Sequence, residues 1–430
     1  MLDVMDRRLF LLSSIAGFTD PVSPLLAPAG QPAPVTTSGD PRFDAWSQSF
    51  VARAVAAGWP EDLLRRELKD LTPDPGVLEA DVRQPEFSRS TGDYMKGAVS
   101  ASRIATGQAK LVGLGSWLSL IEARYGVDRT ILVAIWAMES GFGAVQGDHD
   151  VIRALASLAA DGRRRAWAEA ELFAALRIIA TGKATREQLK GSWAGAMGQT
   201  QFTPVSYVSR AVDIDGDARP DIWGSAPDAL GSAANLLHEA GWRTGESWTR
   251  EVRAPVGFDY GVTEGPAQPT AWWDAHGVAR VDGAGWSAAD AASSASLIAP
   301  AGAGGPLFLV FPNHFVIRKY NNSTRYALAV GLLADGIGGA PGVSIPWPVE
   351  APLSREQRVA AQIALNALGF AAGEPDGVVG TGSRAALRRW QAARGLTADG
   401  FLTPDLAERL RAEAAEVATT GVVQGSSAGR

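Results

Sequence analysis

The chain has 430 residues, enough for two or three domains and a sizeable core, and its apolar (46%) and charged (20%) fractions are those of an ordinary soluble globular protein. A formal charge of −6, with no Lys/Arg block along a predicted face, speaks against nucleic-acid binding. The absence of cysteine excludes disulfides, cysteine-ligated metals, thiol catalysis and a lipid-modified cysteine.

The N-terminus, MDRRLFLLSSIAGF, reads as an export signal over 1–29: Arg7-Arg8, an apolar stretch from Leu9 to Phe18, and a small-residue cleavage site at Ala27-Pro28-Ala29. Arg7-Arg8 before Leu-Phe-Leu is like a twin-arginine address; the alternative is a short amphipathic tail of the mature protein. The apolar stretch falls short of the roughly 20 residues a membrane helix needs. These features predict a soluble, periplasmic, monomeric protein without a membrane anchor.

Residues 30–42, rich in Pro, Ser, Thr and Gly, read as a disordered lead-in. Helical periodicity begins at Phe43, where FDAWSQSFVARAVAAGW sets Phe43, Trp46, Phe50, Ala54 and Ala57 on one stripe. It recurs in EDLLRRELKDL, AKLVGLGSWLSLIEARYG, RAWAEAELFAALRIIATG and PDALGSAANLLHEAGW. Strand-like sequence is limited to LFLVFP (307–312) and HFVIRKY (314–320), and the Gly/Ala/Asp-rich passage 260–304 gives no periodic signal. The mostly helical body ends near Ile337. A Pro/Gly linker follows over 338–353 and is expected to be a flexible join. Residues 354–412 predict three short amphipathic helices joined by two Asp-Gly turns, and 413–430 a disordered tail.

One residue stands out in the stretch IWAMESGFG. TILVAIWAM is apolar almost all round, as in a buried helix, and Ser140-Gly141-Phe142-Gly143 then ends it with Glu139 in the last turn. Apolar walls and the negative end of the helix dipole both disfavour the ionised carboxylate there, which suits a general acid. A structural pair with an arginine of DGRRR (161–165) fits the same residues. Downstream, GSWAGAMGQTQFTP (191–204) surrounds Ser192, Gln199, Gln201 and Phe202 with small residues, which suits either an N-acetylated, polyhydroxylated ligand or a tight packing turn.

DIDGDARPD (213–221) is a calcium candidate, with Asp213, Asp215 and Asp217 at alternate positions, the Arg219 carbonyl and Asp221 following. It departs from the usual loop, because Ala218 stands at the sixth position and Gly224 at the twelfth. A solvated acidic turn is the alternative.

IWAMESGFG, GSWAGAMGQTQFTP, AVDIDGDARPDIW and VIRKYNNSTRYALAV, with RQPEFSRSTGDY and IEARYGV upstream, resemble the lytic murein transglycosylase B family over residues 43–337. LNALGF, PDGVVG, LRRWQ and LTADGFLTP make 354–412 similar to a small peptidoglycan-binding domain. The resemblance implies a mainly α protein: a lysozyme-like α+β catalytic body with a helical N-terminal part, and a three-helix wall-binding module. It implies Glu139 as the single acid/base, Ser192, Gln201 and Phe202 along the glycan, and Tyr320, Asn321, Tyr326 and Tyr94 as further substrate-binding residues. Arg164 and Arg165 match a basic pair over the glycan or peptide path. The implied reaction is non-hydrolytic cleavage of peptidoglycan glycan strands with no cofactor for the chemistry, a structural calcium at the acidic loop, and wall-synthesis or division proteins as candidate partners. Two rivals remain at this point. One is a lysozyme-like hydrolase that recruits Asp148, Asp150, Glu169 or Glu171 as a second carboxylate; the other is a non-catalytic wall-binding scaffold.

Overall fold

The computed structural model describes residues 38–82, 89–349 and 351–426. The export signal over 1–29, most of the lead-in, the first part of RQPEFSRSTGDY and the last residues of the tail lie outside the described residues. The chain divides into two compact units, the first of 38–82 with 109–239 and the second of 89–108 with 240–426. The stretch 43–337, expected as the catalytic body, therefore contributes to both units.

The first unit is helical, with one two-stranded ribbon of β1 (His149–Asp150) and β2 (Lys190–Gly191). The stripe predicted from Phe43 forms the Pro41–Ala56 helix, capped by the Asp40 carboxylate, which accepts from the Arg42 and Phe43 N–H groups. It packs on the Val151–Asp161 helix, and its Trp46 and Phe50 rings meet 5.3 Å apart. The pattern AKLVGLGSWLSLIEARYG is not one helix: it breaks at Leu114 between the Ala101–Gly113 and Gly115–Tyr125 helices. The glycines flanking Leu114 weaken the helix at that point. Every residue of the Arg129–Ser140 helix from Ile131 onward is buried. At about 1.5–3 kcal/mol for each large apolar side chain removed from water, this buried segment anchors the unit.

The second unit carries a five-stranded antiparallel sheet of order β4-β6-β7-β3-β5: β3 (Thr249–Arg253), β4 (Gln268–Pro269), β5 (Ala279–Arg280), β6 (Ser294–Ile298) and β7 (Leu307–Val310). The aperiodic 260–304 passage thus supplies three of its strands. Their core gathers Val252, Trp273, Val278, Leu297 and Leu309. LFLVFP contains β7 as expected, but HFVIRKY is a helix, Pro312–Tyr320. Pro312 at its first turn is preset for a helix start, and burial of His314, Val316 and Ile317 outweighs their strand propensity.

The three C-terminal helices, Arg355–Ala367, Thr381–Ala393 and Pro404–Ser426, close over Leu365, Leu387, Trp390 and Leu410. The last runs into the expected disordered tail as far as Ser426, because RAEAAEVA is rich in strong helix formers. The linker is not a free join either. The Glu251 carboxylate accepts from the Ser344 and Ile345 N–H groups (both 2.8 Å), and the Trp347 ring stacks 6.1 Å from Phe308.

Candidate active site

Glu139 sits one residue before the end of the Arg129–Ser140 helix and is 8% exposed. The helix stops because Gly141, Phe142 and Gly143 all take positive φ (58°, 63° and 85°). For Phe142 this backbone is unfavourable, and two contacts hold it: its N–H donates to the Trp136 carbonyl (3.2 Å), and its ring meets Trp136 edge-on at 5.7 Å.

The 191–204 loop braces this helix end through Gln199. Trp136 Nε1 donates to Gln199 Oε1 (3.0 Å), and the buried Ser140 hydroxyl donates to the Gln199 carbonyl (2.5 Å) while accepting the Gly143 N–H (2.8 Å). A Cβ at Gly143 would stand 2.6 Å from Gln199 Oε1, so only glycine lets the amide in. Gln199 in turn donates its backbone N–H to the Ile222 carbonyl (2.8 Å) and Nε2 to the Trp223 carbonyl (3.1 Å). Gln146 Nε2 reaches the Trp223 carbonyl as well (3.1 Å). The sequence marked Gln199 only as one amide among several, and its place as the hub is visible only in three dimensions.

Ser192, Gln201 and Phe202 lie in the same loop. Ser192 Oγ accepts the Ala196 N–H (3.1 Å), and Gln201, itself at φ 52°, donates Nε2 to the Gln146 and Gly198 carbonyls (3.0 Å each). Phe202 is 1% exposed, its backbone paired with Met197. The loop is thus a tight packing turn whose polar side chains order its own backbone.

Each arginine of DGRRR has a structural partner. Arg163 and Arg164 hold the Asp81 carboxylate (2.6 and 3.2 Å), the Arg164 guanidinium lies 4.0 Å over the Trp167 ring, and Arg165 Nε donates to the Ala159 carbonyl. Three of the four carboxylates considered as second catalytic groups have structural work. Asp150 caps the Val151–Asp161 helix and pairs with Arg186 (2.8 Å), and Glu171 accepts the Val205 N–H (2.9 Å). Glu169 binds Arg53 and Trp46 Nε1 (2.7 and 2.9 Å). Burial pushes that carboxyl up, but the bonds from Arg53 and Trp46 together hold it below the ordinary glutamate range. Asp148 is exposed.

Among the described residues, Asp213, Asp215, Asp217 and Asp228 bring carboxylate oxygens within 4.8 Å of one another. Asp221, the expected late member, is outside this cluster. Its Oδ1 accepts from the Trp223 and Gly224 N–H groups, and its Oδ2 lies 3.7 Å from Arg219. Asp228, unmarked by the sequence, takes that place from the first turn of the Ala226–Glu239 helix. It is fully buried and accepts the Ile214, Asp215 and Asp221 N–H groups. Burial pushes the Asp228 carboxyl up, with the Asp215 charge adding to it against those three bonds. An all-oxygen set of this kind suits a hard cation.

Tyr94, Tyr320, Asn321 and Tyr326 belong to the second unit. Tyr320 ends the Pro312–Tyr320 helix, Asn321 caps it in extended conformation, and Tyr326 opens the Thr324–Ile337 helix, its N–H on the Ser323 hydroxyl (3.3 Å). Tyr320 and Tyr326 are buried, and half-buried Tyr94 lies on the Thr91–Ala98 helix, which packs against the Thr324–Ile337 helix. His314 is no rival acid near neutrality, since burial, and next the Arg318 charge, pushes it down to about 3.

Residues 42–335 match the transglycosylase SLT domain family, and 354–410 match a putative peptidoglycan binding domain. The membrane-bound lytic murein transglycosylase B of Escherichia coli K12 is 32% identical over 218 residues, which are 50% of this chain and 58% of that relative. The match therefore spans less than two thirds of that protein. The structure of SltB3 from Pseudomonas aeruginosa in complex with NAG-anhNAM-pentapeptide is 46% identical, with a TM-score of 0.82 over 86% of this chain and 99% of that one. The Escherichia coli lytic transglycosylase Slt35 in complex with calcium is 28% identical, with a TM-score of 0.60 over 68% of this chain and 92% of that one.

Proposed function

The chain belongs to the transglycosylase SLT domain family, and on that premise we propose that it is a peptidoglycan lytic transglycosylase with Glu139 as its acid and then its base. The observation that carries this reading is the position of Glu139: a buried carboxyl in the last turn of a helix that is buried from Ile131 onward, at the helix end that the Gln199 loop braces.

In this mechanism Glu139 gives its proton to the glycosidic oxygen between N-acetylmuramic acid and N-acetylglucosamine. The C1–O bond breaks with its electron pair going to that oxygen, and the substrate's own N-acetyl oxygen stabilises the oxocarbenium-like charge at C1. The Glu139 carboxylate then takes the proton of the muramic C6 hydroxyl as that oxygen closes on C1 to give the 1,6-anhydro ring. No water is consumed, so no second carboxylate is needed to activate one.

Ser192 retains its hydroxyl hydrogen and Gln201 its amide oxygen for a glycan, and buried Phe202 supports the loop from behind. Substrate roles for Tyr94, Tyr320, Asn321, Tyr326, Arg164 and Arg165 rest on the family resemblance. Asp213, Asp215, Asp217 and Asp228 would hold a structural calcium, which would neutralise their mutual repulsion. The C-terminal module binds the wall. Arg7-Arg8 directs export to the periplasm, and retention of an Arg7→Lys, Arg8→Lys variant in the cytoplasmic fraction checks that route.

Mass spectrometry of products from purified sacculi tests the activity. Anhydromuramoyl ends are expected, and Glu139→Gln should lower their release by about 10²–10⁴-fold. Water-added reducing ends would make the protein a hydrolase, and undiminished release by the variant would remove Glu139 from the mechanism.

A further inference from the structure

The C-terminal module contains the same local device twice. In its first half Gln362 Oε1 accepts the Gly377 N–H (2.8 Å) while Nε2 donates to Asp376 Oδ1 (3.1 Å), which also accepts the Val378 N–H (2.7 Å). In its second half Gln391 Oε1 accepts the Gly400 N–H (2.8 Å) while Nε2 donates to Asp399 Oδ1 (2.8 Å), which also accepts the Phe401 N–H (3.0 Å). Both glutamines are 2% exposed, and both turn glycines have positive φ (81° and 72°). Each turn lies against the helix seven residues before its glutamine. A Cβ at Gly377 would stand 2.9 Å from Arg355 Cγ, and one at Gly400 would stand 2.8 Å from the Arg384 carbonyl. Arg355 is thus the counterpart of Arg384, and Asp376 of Asp399.

The second copy is occupied by the protein itself. Arg384 binds the Glu264 carboxylate (Nη2–Oε1 2.6 Å), assisted by Arg388 (3.5 Å), and Asp399 Oδ2 accepts the Ala303 N–H (2.9 Å). This corner therefore recognises a carboxylate on its arginine and a peptide N–H on its aspartate. In the first copy both groups are exposed. Arg355 has no ion pair among the described residues and makes one bond, to the Asp376 carbonyl (3.1 Å), and Asp376 Oδ2 has no partner there. Val359 stands where the second copy has Arg388, so the first copy holds a carboxylate with one arginine rather than two.

We propose that the Arg355–Asp376 corner is a binding site for the peptide arms of the wall polymer, taking a peptide carboxylate on Arg355 and a neighbouring backbone N–H on Asp376. The inference deepens the wall-binding reading of the module and rests on it. The self-docked copy shows what chemistry the corner accepts, and the exposed copy leaves that chemistry open to an external peptide. A glycan stripped by an amidase keeps the lactyl carboxylate of each muramic residue but has no peptide carboxylate with a peptide N–H beside it.

The test is co-sedimentation of the full chain, made non-cleaving by Glu139→Gln, with intact sacculi and with sacculi stripped of peptide by an amidase. Arg355→Ala and Asp376→Asn, both at exposed positions, should each weaken binding to intact sacculi by about tenfold and binding to stripped glycan, which has lost the stem peptide, by clearly less. Equal loss on both substrates, or no loss on intact sacculi, would overturn the site while leaving the wall-binding reading in place. Failure of the parent variant to sediment with intact sacculi would overturn both. Unchanged thermal unfolding of the two variants assigns any loss to binding.

Discussion

The turn after Glu139 and the acidic loop 213–228 adjoin in the first unit, yet they are ordered in opposite ways. The first is held by neutral groups: an indole N–H, a hydroxyl, a primary amide and backbone, each paired within 3.2 Å. The second is held by aspartates that accept backbone N–H groups, so its order accumulates negative charge. Neutral bonds of this kind do not change with pH or ions, whereas clustered carboxylates respond to both. The two regions are mechanically joined, because the Ile222 and Trp223 carbonyls that receive Gln199 lie within the acidic loop.

The largest effect should come from breaking the neutral side at its hub. Gln199→Leu strands the buried Trp136 indole N–H and removes one of the two bonds to the Trp223 carbonyl, which should cost about 1–3 kcal/mol in urea unfolding. It should lower kcat more than it raises KM, since it acts on the placement of Glu139; an unchanged kcat would show that Gln199 serves only stability.

A smaller effect, opposite in its sensitivity to conditions, is expected at the loop. The Asp228 carboxyl is raised above its unfolded value, so its contribution favours the folded state below the ordinary aspartate value of about 4 and is lost as pH rises through the raised one. Calcium needs ionised carboxylates, so adding it should raise Tm at pH 7 and have little effect at pH 4. Asp228→Asn should abolish most of that increment. A calcium response absent at pH 7, or equal at both pH values, would leave the loop a plain acidic turn.

The smallest effect should be at Asp217, whose exposed carboxylate accepts only the Arg219 N–H (2.9 Å) within the loop. Asp217→Asn should change calcium-free stability by less than about 0.5 kcal/mol, as surface changes usually do, while weakening the calcium increment. A larger calcium-free loss would mean that the loop is ordered by its own hydrogen bonds and not by a cation.

Much of the fold was legible in the sequence because it is written in local signals: the apolar stripe from Phe43, the all-apolar TILVAIWAM, and two Asp-Gly turns between amphipathic helices. Glu139 was legible for the same reason, as a charge at the end of a buried run. HFVIRKY misled because β-branched residues suit a strand wherever burial does not decide otherwise, and here it does. The Pro/Gly linker misled because composition measures the freedom of a chain in isolation and cannot register a carboxylate such as Glu251 waiting on another strand.

By itself, then, the sequence determined the elements, the buried acid and the family motifs, since helix periodicity, glycine punctuation and apolar runs act over a few neighbouring residues. Only the tertiary structure decided what each polar group does, because a hydrogen-bond partner is fixed by distance in space. Gln199 became the brace of the Glu139 helix, Asp228 replaced Asp221 in the acidic cluster, and Glu264 docked on one of two related arginine corners, through partners from 7 to 124 residues away in the chain.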